Sequence, residues 1–386
     1  MTQWRRVTVG EVAEVAIGPF GSSLKADLYV RDGMPVVSGM HLGRSISPSL
    51  DGADCVDQAT VQRLERSVLR PGDLVFPHRG SIGRVGLVDR PMMMSTSMMR
   101  ARFGPSVLPQ FAYWYFVAEG NRQLLTMASS VGTPGIGQPL ASLKSVPFLL
   151  PDLDVQQGIA EVLGALDDKI AANHRVIDMA DTLRATLWQR LCRHSEPRPL
   201  SSLARFVNGR AFTKDATGTG RVVVRIAELN SGLSGSTVRN DIDVADDHLA
   251  RPGDFLMAWS GSLTAARWFR DEAIVNQHIF KVIPTQGRSL WSVACAVDAK
   301  MADFKHEAAG KATTMGHIQR RHLDEPVLWP VWNDESEAQG QALWERALAA
   351  ERENETLAKT RDELLSPLMS GKITVRDAEK RVEGVV

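Results

Sequence analysis

One passage occurs twice in this chain, and this repeat constrains the fold more than any other feature. The stretch RPGDLVFPHRGSIG is followed 181 positions later by RPGDFLMAWSGSL. The same offset relates Asp73 to Asp254 and, further on, Asn173 to Asn354. Near the start of each copy the offset is 191, which indicates loops of different length. A constant offset over such a distance predicts two copies of one structural unit.

Each copy is predicted to contain a mixed domain of strands and short helices. Residues 34–42 and 221–229 are rich in β-branched side chains, which is typical of strands. Pro-Gly turns precede the short apolar strands DLVF and DFLM. Residues 109–128 have helical character, and the methionine cluster at 92–99 is interpreted as a buried strand rather than an adaptable binding surface. Short strands between Gly and Pro turns favour a twisted or barrel-like sheet.

A long helix is predicted to follow each mixed domain. Apolar residues recur at heptad spacing over 155–191 and again over 336–366. Each stripe is too apolar to face water, so we expect the helices to pair, antiparallel if a pseudo-twofold axis relates the copies. The central asparagines then either meet in the interior or lie solvated at the rim. The positions assigned to helix pairing or partner binding are Gln156, Ile159, Leu163, Leu166, Asn173, Leu183, Leu343, Asn354, Leu357 and Leu364.

These elements predict an α+β chain in which two pseudo-symmetric domains are separated by an antiparallel coiled coil. The predicted segments are 1–151 and 196–331 for the mixed domains, 152–195 for the first helix, and 332–386 for the second helix and tail. The net charge is zero overall, but the mixed domains carry about +4 and +2 and the helical segments about −2 and −4. This is the direction expected if the domains contact a polyanion and the helices contact protein.

Several classes of protein are disfavoured by the cysteines and by the hydropathy pattern. Cys55, Cys192 and Cys295 are scattered, and none lies at zinc-ligand spacing from another cysteine or histidine. We therefore expect neither a structural metal nor a disulfide framework. The first residues lack the apolar core of a signal peptide, and no apolar run is long enough to span a bilayer. We expect a cytoplasmic protein without membrane contact.

Two catalytic alternatives are weakened by the residues themselves. Asp152, Asp167 and Lys169 imitate the carboxylates and lysine of a Mg²⁺-dependent nuclease, but that chemistry places the last two on a strand, and here they lie in a heptad pattern. A stand-alone adenine methyltransferase needs an N-P-P-F-like motif to hold the flipped base, and none occurs. A protein-only scaffold of two β-rich domains on a coiled coil stays open, because it shares the architecture.

Six passages occur in one order along the chain. They are GPFGSSLKADLYVRDGMPVVSG, PGDLVFPHRGSIGRVGLV, LPDLDVQQGIAEVLGALDDKI, PGDFLMAWSGSL, VNQHIFKV and LLSPLMSGKI. Together with the internal duplication they resemble the specificity subunit of Type I restriction–modification systems. The resemblance extends over nearly the whole chain. The start of the first helix carries the pattern Q-x-x-I-A-x-x-L of that family, whereas the second helix keeps only fragments of it.

The resemblance implies a division of labour within a larger complex. Each mixed domain would be a target recognition domain that reads one half of a bipartite sequence in double-stranded DNA. The helices would set the spacing between the half-sites and dock two methyltransferase subunits, which use S-adenosylmethionine to methylate adenine. Restriction subunits would join the assembled complex. The chain itself would carry no catalytic residue, metal or cofactor.

Candidate DNA-contacting residues lie on loops of both mixed domains. GPFGSSLK combines glycines that allow a close backbone approach with hydroxyls and a lysine for phosphate, and the loop after each DLVF or DFLM strand offers further donors. Each arginine could instead form a surface ion pair, and His278 could belong to the core. The equivalent loops differ in chemistry, so we predict two different half-sites. The candidates are Gly18, Phe20, Gly21, Ser22, Ser23, Lys25, His78, Arg79, Ser81 and Arg84 in the first domain, and Arg210, Lys214, Trp259, Ser260, Ser262, Arg267, Gln277 and His278 in the second.

Overall fold

The computed structural model describes residues 4–43, 45–129, 132–285, 287–309 and 316–384. Internal contacts group the chain into two units. Unit 1 comprises Met1–Ala171 with Thr356–Val386, and unit 2 comprises Ala172–Glu355. Each unit therefore combines one mixed domain with one half of each long helix. The division into four segments along the chain, which was predicted from the sequence, stays a prediction.

The mixed domain of unit 1 contains two sheets and two small ribbons. Its strands are β1 (Arg5–Thr8), β2 (Ala13–Ile17), β3 (Tyr29–Val30), β4 (Met34–Val37), β5 (Cys55–Val56), β6 (Val68–Leu69), β7 (Leu74–Pro77), β8 (Gly86–Leu87), β9 (Met92–Met94), β10 (Met98–Phe103), β11 (Ala128–Ser129), β12 (Gly135–Ile136) and β13 (Pro147–Leu150). One sheet has the order β2-β10-β7-β8, and the other has the order β3-β5-β4-β9-β6 with β4 and β9 parallel. Strand β1 pairs with β13, and β11 pairs with β12.

Short helices flank these sheets, and one long helix follows them. They are α1 (Val9–Val12), α2 (Gln58–Arg63), α3 (Pro109–Tyr115), α4 (Asn121–Thr126), α5 (Pro139–Ser145) and α6 (Leu153–Leu191). A π-helical turn, Phe116–Gly120, joins α3 to α4, so the helical character predicted for 109–128 is confirmed. The proline at the start of α3 suits the first turn of a helix, where its missing N–H would have no partner.

Unit 2 repeats the first sheet of unit 1. Its strands are β14 (Glu196–Pro199), β15 (Ala204–Asn208), β16 (Arg221–Val224), β17 (Arg239–Asn240), β18 (Leu249–Ala250), β19 (Phe255–Ala258), β20 (Thr264–Arg267), β21 (Ala273–Val275), β22 (Ile279–Pro284) and β23 (Pro326–Trp329). Its second sheet, with the order β17-β16-β21-β18, has four strands where that of unit 1 has five. The remaining helices of the chain are α7 (Ile226–Ser231), α8 (Leu290–Ala309), α9 (Asp334–Met369) and α10 (Val375–Glu383), of which α10 and the end of α9 belong to unit 1.

The two units share one topology, as the repeat predicts. The order β2-β10-β7-β8 returns as β15-β22-β19-β20, and the parallel pair β4 and β9 returns as β16 and β21. The passage RPGD forms the same turn twice, with positive φ at Gly72 (+91°) and Gly253 (+98°), where glycine is preferred. Asp73 and Asp254 each accept a hydrogen bond from the backbone N–H three residues earlier, at 2.8 and 2.7 Å.

The long helices pair in opposite directions. In unit 1, Ile159 near the start of α6 shares a core with Leu364 near the end of α9. In unit 2, Leu187 near the end of α6 shares a core with Trp344 near the start of α9. The α+β class, the two pseudo-symmetric domains and the antiparallel helix pair that the sequence predicts are therefore confirmed.

Two local predictions have different outcomes. The methionine cluster forms β9 and the start of β10, and Met92–Met94 are fully buried, so the buried-strand interpretation is confirmed. The strand predicted over 221–229 is too long, because β16 ends at Val224 and α7 begins two residues later. Glu228 caps α7 by accepting the N–H of Arg225 at 3.0 Å, a local signal that outweighs the β-branched composition.

Candidate nucleic-acid interface

A surface cleft of about 750 Å³ in unit 1 brings together the two loops that the sequence singles out in the first domain. Gly18, Phe20 and Gly21 line it from the segment after β2, and His78 and Arg79 line it from the loop after β7. Because β10 lies between β2 and β7 in the sheet, the ends of these strands bring both loops to the same edge. The cleft is therefore the candidate nucleic-acid interface of unit 1.

Other polar residues of this cleft were missed by the sequence reasoning. Thr96 and Ser97 line it from the turn between β9 and β10, and Thr133 lines it from the β11–β12 hairpin. The repeat could have found the first two, because the offset of 181 relates them to the candidates Gln277 and His278. Thr133 carries no comparable signal.

The loop after β7 is held by backbone hydrogen bonds at the floor of the cleft. The N–H of His78 donates to the carbonyl of Ser97, and the N–H of Ile136 donates to the carbonyl of His78, both at 2.9 Å. Arg79 forms a β-bridge with Gly135. These bonds fix the backbone, while the guanidinium of Arg79 remains on an exposed residue that can approach a phosphate or a guanine edge.

The hydrogen bonding of the His78 ring leaves one ring nitrogen able to accept a hydrogen bond. Its Nε2 lies 3.3 Å from the carbonyl oxygen of Thr96, and because a carbonyl can only accept, the proton sits on Nε2. Burial lowers the pKa of His78, and the hydrogen bond to Thr96 opposes that effect only in part. The lowered pKa favours the neutral ring, and in the tautomer with the proton on Nε2 the Nδ1 atom can accept a hydrogen bond from a base amino group.

Gly18 is required by packing inside the protein. A Cβ atom at this position would lie 2.1 Å from the carbonyl oxygen of Ser95. Gly209 in unit 2 is in the same situation, 2.2 Å from the carbonyl oxygen of Asn276. The close backbone approach predicted for Gly18 is thus made to a neighbouring turn of the protein. Gly21 is exposed, and a Cβ there would meet nothing within 4 Å.

The serines and the lysine of GPFGSSLK lie beside this cleft, and a second basic side chain joins them. Ser22 and Lys25 are exposed, and Ser23 is half-buried. The carbonyl of Ser23 accepts hydrogen bonds from both terminal nitrogens of Arg63, each at 3.1 Å. Arg63 is exposed on α2, forty residues away along the chain, and no pattern in the sequence connects it with this segment. Lys25 and Arg63 together suit a phosphate contact.

Ser81 and Arg84 contact the protein backbone around the loop after β7 in unit 1. The guanidinium of Arg84 donates to the carbonyls of Gly39 and Leu42, at 3.1 and 3.2 Å. Ser81 is half-buried, and its Cβ lies 3.2 Å from where a Cβ of Gly39 would be. Both residues hold the loop after β7 against residues 39–42, and their predicted DNA contacts stay predictions.

The equivalent surface of unit 2 has the same backbone but different side chains. Trp259 takes the place of His78, and its N–H donates to the carbonyl of His278 at 3.0 Å. Its indole Nε1 donates to Oδ1 of Asn208 at 2.7 Å, and its ring stacks on Phe280 with the centroids 5.9 Å apart. Asn208, which ends β15, was missed by the sequence reasoning.

Exposed donors surround this tryptophan. The N–H of Gln277 donates to the carbonyl of Arg210 at 2.8 Å, and both side chains belong to exposed residues. Lys214 and Ser262 are exposed on the adjoining loops. The ring of His278 lies 5.0 Å from Trp259, and its buried Nδ1 has no hydrogen-bond partner among the described residues. Gln277 and Arg210 can therefore face DNA, whereas His278 faces the protein.

Arg267 lies at a position that is at odds with a DNA contact. Its side chain is only 4% exposed, and its Nε donates to Glu351 at 2.7 Å. A second carboxylate, Asp181, lies 3.3 Å away, and the guanidinium lies over the ring of Trp344. Arg267 ends β20, and its side chain extends to α6 and α9 within unit 2, so it points into protein. Ser260 is also buried, at 7% exposure.

Gln156 is also at odds with a partner contact, because it is completely buried. Its amide oxygen accepts the N–H of Leu108 at 2.9 Å, and its amide nitrogen donates to the carbonyls of Ser106 and Pro151 at 3.0 and 2.8 Å. These bonds tie the start of α6 to the loop before α3. The glutamine that begins the Q-x-x-I-A-x-x-L pattern thus has a structural role in unit 1.

The helix-pairing positions follow the predicted stripe except near the end of α6. Leu183 is 50% exposed, and the next residue, Arg184, is buried instead. A strict heptad drifts around an α-helix of 3.6 residues per turn, which accounts for the shift. On α9, Leu343 is half-buried beside the buried Trp344. Buried as predicted are Ile159, Leu163, Leu166, Asn173, Asn354, Leu357 and Leu364.

Both central asparagines are buried, so the solvated-rim alternative is wrong. The amide nitrogen of Asn173 donates to the carboxylate of Glu353 at 2.8 Å, which joins the two helices within unit 2. A direct contact between Asn173 and Asn354 stays a prediction.

The described residues provide no support for metal chemistry. None of them forms a group of three or more ligating side chains that could hold a metal ion. Asp167, which the nuclease alternative requires, lies on α6 and pairs with Arg361 at 2.6 Å. In the same described ranges, no helix has both the length and the hydropathy needed to cross a membrane.

Comparisons with known proteins agree with this architecture. Residues 1–179 match the family described as the Type I restriction modification DNA specificity domain. The fold is similar to that of a Type-I restriction-modification system S subunit from M. genitalium, with a TM-score of 0.61, 14% identity, and coverage of 95% of this chain and 96% of that chain. The HsdS subunit from Thermoanaerobacter tengcongensis matches with a TM-score of 0.38, 14% identity, and coverage of 97% and 98%. No curated protein matches the chain in sequence. The family match confirms the resemblance found in the sequence over residues 1–179, and the first of these structures confirms the fold.

Proposed function

We propose that this chain, whose first 179 residues match the Type I DNA specificity domain, is the DNA-binding subunit of a Type I restriction–modification complex. One observation supports the proposal most directly. The loops after β7 and β19 have equivalent backbone hydrogen bonds, and each of these two backbone frames has different side chains. His78 and Arg79 lie on the frame of unit 1, whereas the frame of unit 2 has Trp259 and the buried Ser260 at these positions and presents Gln277 to solvent. A repeated frame with different side chains suits the recognition of two different half-sites.

Each domain has donors and acceptors suited to base edges. In unit 1, Nδ1 of the neutral His78 ring can accept a hydrogen bond from a base amino group, and Arg79 can donate to guanine or to phosphate. In unit 2, the exposed amide of Gln277 suits the two hydrogen-bonding positions of adenine, with Arg210 beside it. The half-sites recognised are therefore different, and the complete target is asymmetric.

The partners of this subunit are two methyltransferase subunits, which bind S-adenosylmethionine and methylate adenine in the target. The chain itself works without a cofactor and has no catalytic centre. Restriction subunits join the assembled complex, which acts in the cytoplasm. On α6, Met179 and Leu183 are 64% and 50% exposed and lie one helical turn apart. Two exposed apolar side chains on one helix face suit a protein contact, and we assign them to one methyltransferase subunit.

Methylation mapping of host DNA tests the proposed function. Deleting the gene for this chain should remove methylation from one bipartite, asymmetric motif, and returning it should restore that methylation. The purified chain with S-adenosylmethionine should methylate nothing without its partner. An unchanged methylome after deletion would overturn the proposal. Assembly with other proteins but no DNA binding would identify a protein-only scaffold instead.

Substitution of the exposed pair on α6 tests the docking surface. A double variant, Met179→Glu with Leu183→Glu, should weaken binding of one methyltransferase subunit by about tenfold or more, because it places charge in an apolar contact. Co-purification and titration with the tagged methyltransferase subunit measure this loss. The matched control is Val331→Glu, which changes an apolar side chain that is 84% exposed but lies between β23 and α9. Equal assembly of both variants would contradict the assignment.

A further inference from the structure

Phe20 presents an aromatic ring to solvent at the rim of the unit 1 cleft. The residue is 81% exposed, and it lines the cleft together with Arg79 and Thr96. Burial of a phenylalanine side chain stabilises a fold, and this ring contributes little of that stabilisation because most of it is exposed. The position therefore has no evident role in folding, which leaves the cleft as the place where the ring can act.

The backbone below this ring is held on both sides. The N–H of Gly18 donates to the carbonyl of Met98, and the N–H of Ser23 donates to the carbonyl of Phe20 itself, both at 2.8 Å. Pro19, between Gly18 and Phe20, is buried and has a fixed φ. A ring on such a short, anchored segment loses little conformational freedom when a ligand packs against it.

The groups around the ring suit DNA. Arg79 supplies a cation, and Thr96, Ser97 and Thr133 supply hydroxyls that can donate or accept. An apolar ring bordered by such groups is the combination with which proteins insert a wedge at a base step or stack on an exposed base. The hydroxyls and the guanidinium can contact base edges and phosphates beside the inserted ring.

Unit 2 has no equivalent of this ring at the same position. The offset of 191 relates Phe20 to Ala211, which is exposed. The aromatic residue of the unit 2 surface is Trp259, whose indole is hydrogen-bonded to Asn208 and stacked on Phe280. Among the residues that the structure describes, an exposed aromatic ring at this position occurs in the first domain and not in the second, so the predicted effect belongs to the first domain.

We propose that Phe20 is a stacking wedge that enters the DNA at the half-site read by the first domain and unstacks one base there. This inference rests on the proposed function and deepens it. The wedge makes the recognition of that half-site depend on how easily its base step opens, in addition to the hydrogen bonds made by Arg79 and its neighbours.

Fluorescence of 2-aminopurine, which rises when the base leaves the stack, tests the wedge. The probe is a duplex with the bipartite motif found by methylation mapping, with 2-aminopurine placed in turn at each position of both half-sites. In the complete complex with methyltransferase subunits, one position in one half-site should brighten, and Phe20→Ala should abolish this signal. The adenine that the methyltransferase flips gives a second signal, which Phe20→Ala should leave unchanged when the duplex is saturated with complex.

Further variants distinguish the effect of the Phe20 ring on DNA binding from any effect on folding. Phe20→Ala should weaken binding roughly 5- to 150-fold, the range that corresponds to one base–aromatic stack. Phe20→Trp should retain binding, and Phe20→Leu should fall between them. The control is Met40→Ala, which removes an apolar side chain that is 77% exposed in the same unit but lies outside the cleft lining. Thermal unfolding should be the same for all these variants.

The outcomes distinguish this inference from the proposed function. If the wild-type complex binds the motif but no probe position depends on Phe20, the wedge is overturned and the proposed function stands. An equal loss at both half-sites on Phe20→Ala would also overturn it, because the ring belongs to one domain. If the wild-type complex does not bind the bipartite duplex at all, both proposals fail.

Discussion

Arg267 carries a positive charge that the sequence could assign to DNA, yet its side chain lies 4% exposed between Asp181 and Glu351. Burial removes hydration from the guanidinium, and the two carboxylates and the face of Trp344 offset that loss. Burial also raises the pKa of Glu351, although the hydrogen bond from Arg267 opposes this. The type of residue alone therefore does not separate an arginine that reads DNA from one that fixes a domain to its helices.

Removal of this arginine should affect stability more than DNA reading. Arg267→Ala removes the cation that pairs with Glu351 in a mostly buried position and leaves Asp181 with Arg184 alone, so the free energy of unfolding should fall by about 3–5 kcal/mol. Thermal and urea unfolding of the purified chain measure the loss. The control is Arg251→Ala, whose side chain is 46% exposed and pairs at the surface with Glu272, so the free energy of unfolding should fall much less. Similar losses for the two variants would contradict the structural role.

The two glycines of GPFG should respond differently to a methyl group. Gly18→Ala places a Cβ 2.1 Å from the carbonyl oxygen of Ser95, so the backbone must move and stability should fall by roughly 1–3 kcal/mol. Gly21→Ala meets nothing within 4 Å and should be close to neutral. Chemical unfolding of both variants provides the comparison. A neutral Gly18→Ala would show that the turn at Ser95 can move away without loss.

At the scale of elements, the sequence patterns predicted the helices and strand starts that are determined by residues close together in the chain. Heptad spacing located α6 and α9, and Pro-Gly turns located the starts of β7 and β19. The same patterns failed where tertiary packing determines which side chain is buried. Because the heptad stripe drifts around the helix, Arg184 is buried in unit 2 and Leu183 is exposed. Arg63 could not be associated with Ser23 from the sequence, because their contact joins residues forty positions apart without any repeating pattern.

The start of α6 provides a prediction about one element. Gln156→Ala removes three hydrogen bonds, those to the N–H of Leu108 and to the carbonyls of Ser106 and Pro151. Each buried group left unpaired costs about 1–3 kcal/mol, so the melting temperature should fall clearly. Gln157→Ala is the matched control, because the amide of this neighbouring residue donates to Glu161 on the exposed face of the helix.

Methyltransferase binding provides the second readout of that variant. At a temperature where Gln156→Ala is still folded, it should bind the methyltransferase subunit as well as Gln157→Ala does, because Gln156 is completely buried. Pull-down assays at matched folded fractions test this. If a folded Gln156→Ala chain did not bind the methyltransferase subunit, Gln156 would have to contact that subunit.

At the scale of the whole molecule, the constant offset of 181 was the most informative property of the sequence. It predicted one topology repeated twice, and it also relates the loop positions that differ between the copies. What the repeat could not indicate is which of those positions point outward. Position 79 is an exposed arginine in unit 1, whereas its equivalent Ser260 is buried at 7% exposure. Side-chain size and the neighbouring strands determine that difference.

Exchange of side chains between the equivalent frames tests the logic of the repeat. The variant His78→Trp, Arg79→Ser and Thr96→Gln gives the first domain the side chains of the second at three cleft positions. The frames share their backbone bonds, such as N–H to carbonyl distances of 2.9 Å at His78 and 3.0 Å at Trp259, so the variant should fold. Methylation mapping should show lost selectivity at one half-site and full selectivity at the other.

The pattern of loss in this exchange decides between local and global recognition. If each domain reads its own half-site, the positions of the motif that remain selective should all lie on one side of the spacer. If the bases are instead read through deformation of the whole duplex, selectivity should fall on both sides together. Unchanged selectivity on both sides would show that the unit 1 cleft does not face DNA, and the interface would then have to be sought on another surface of the domain.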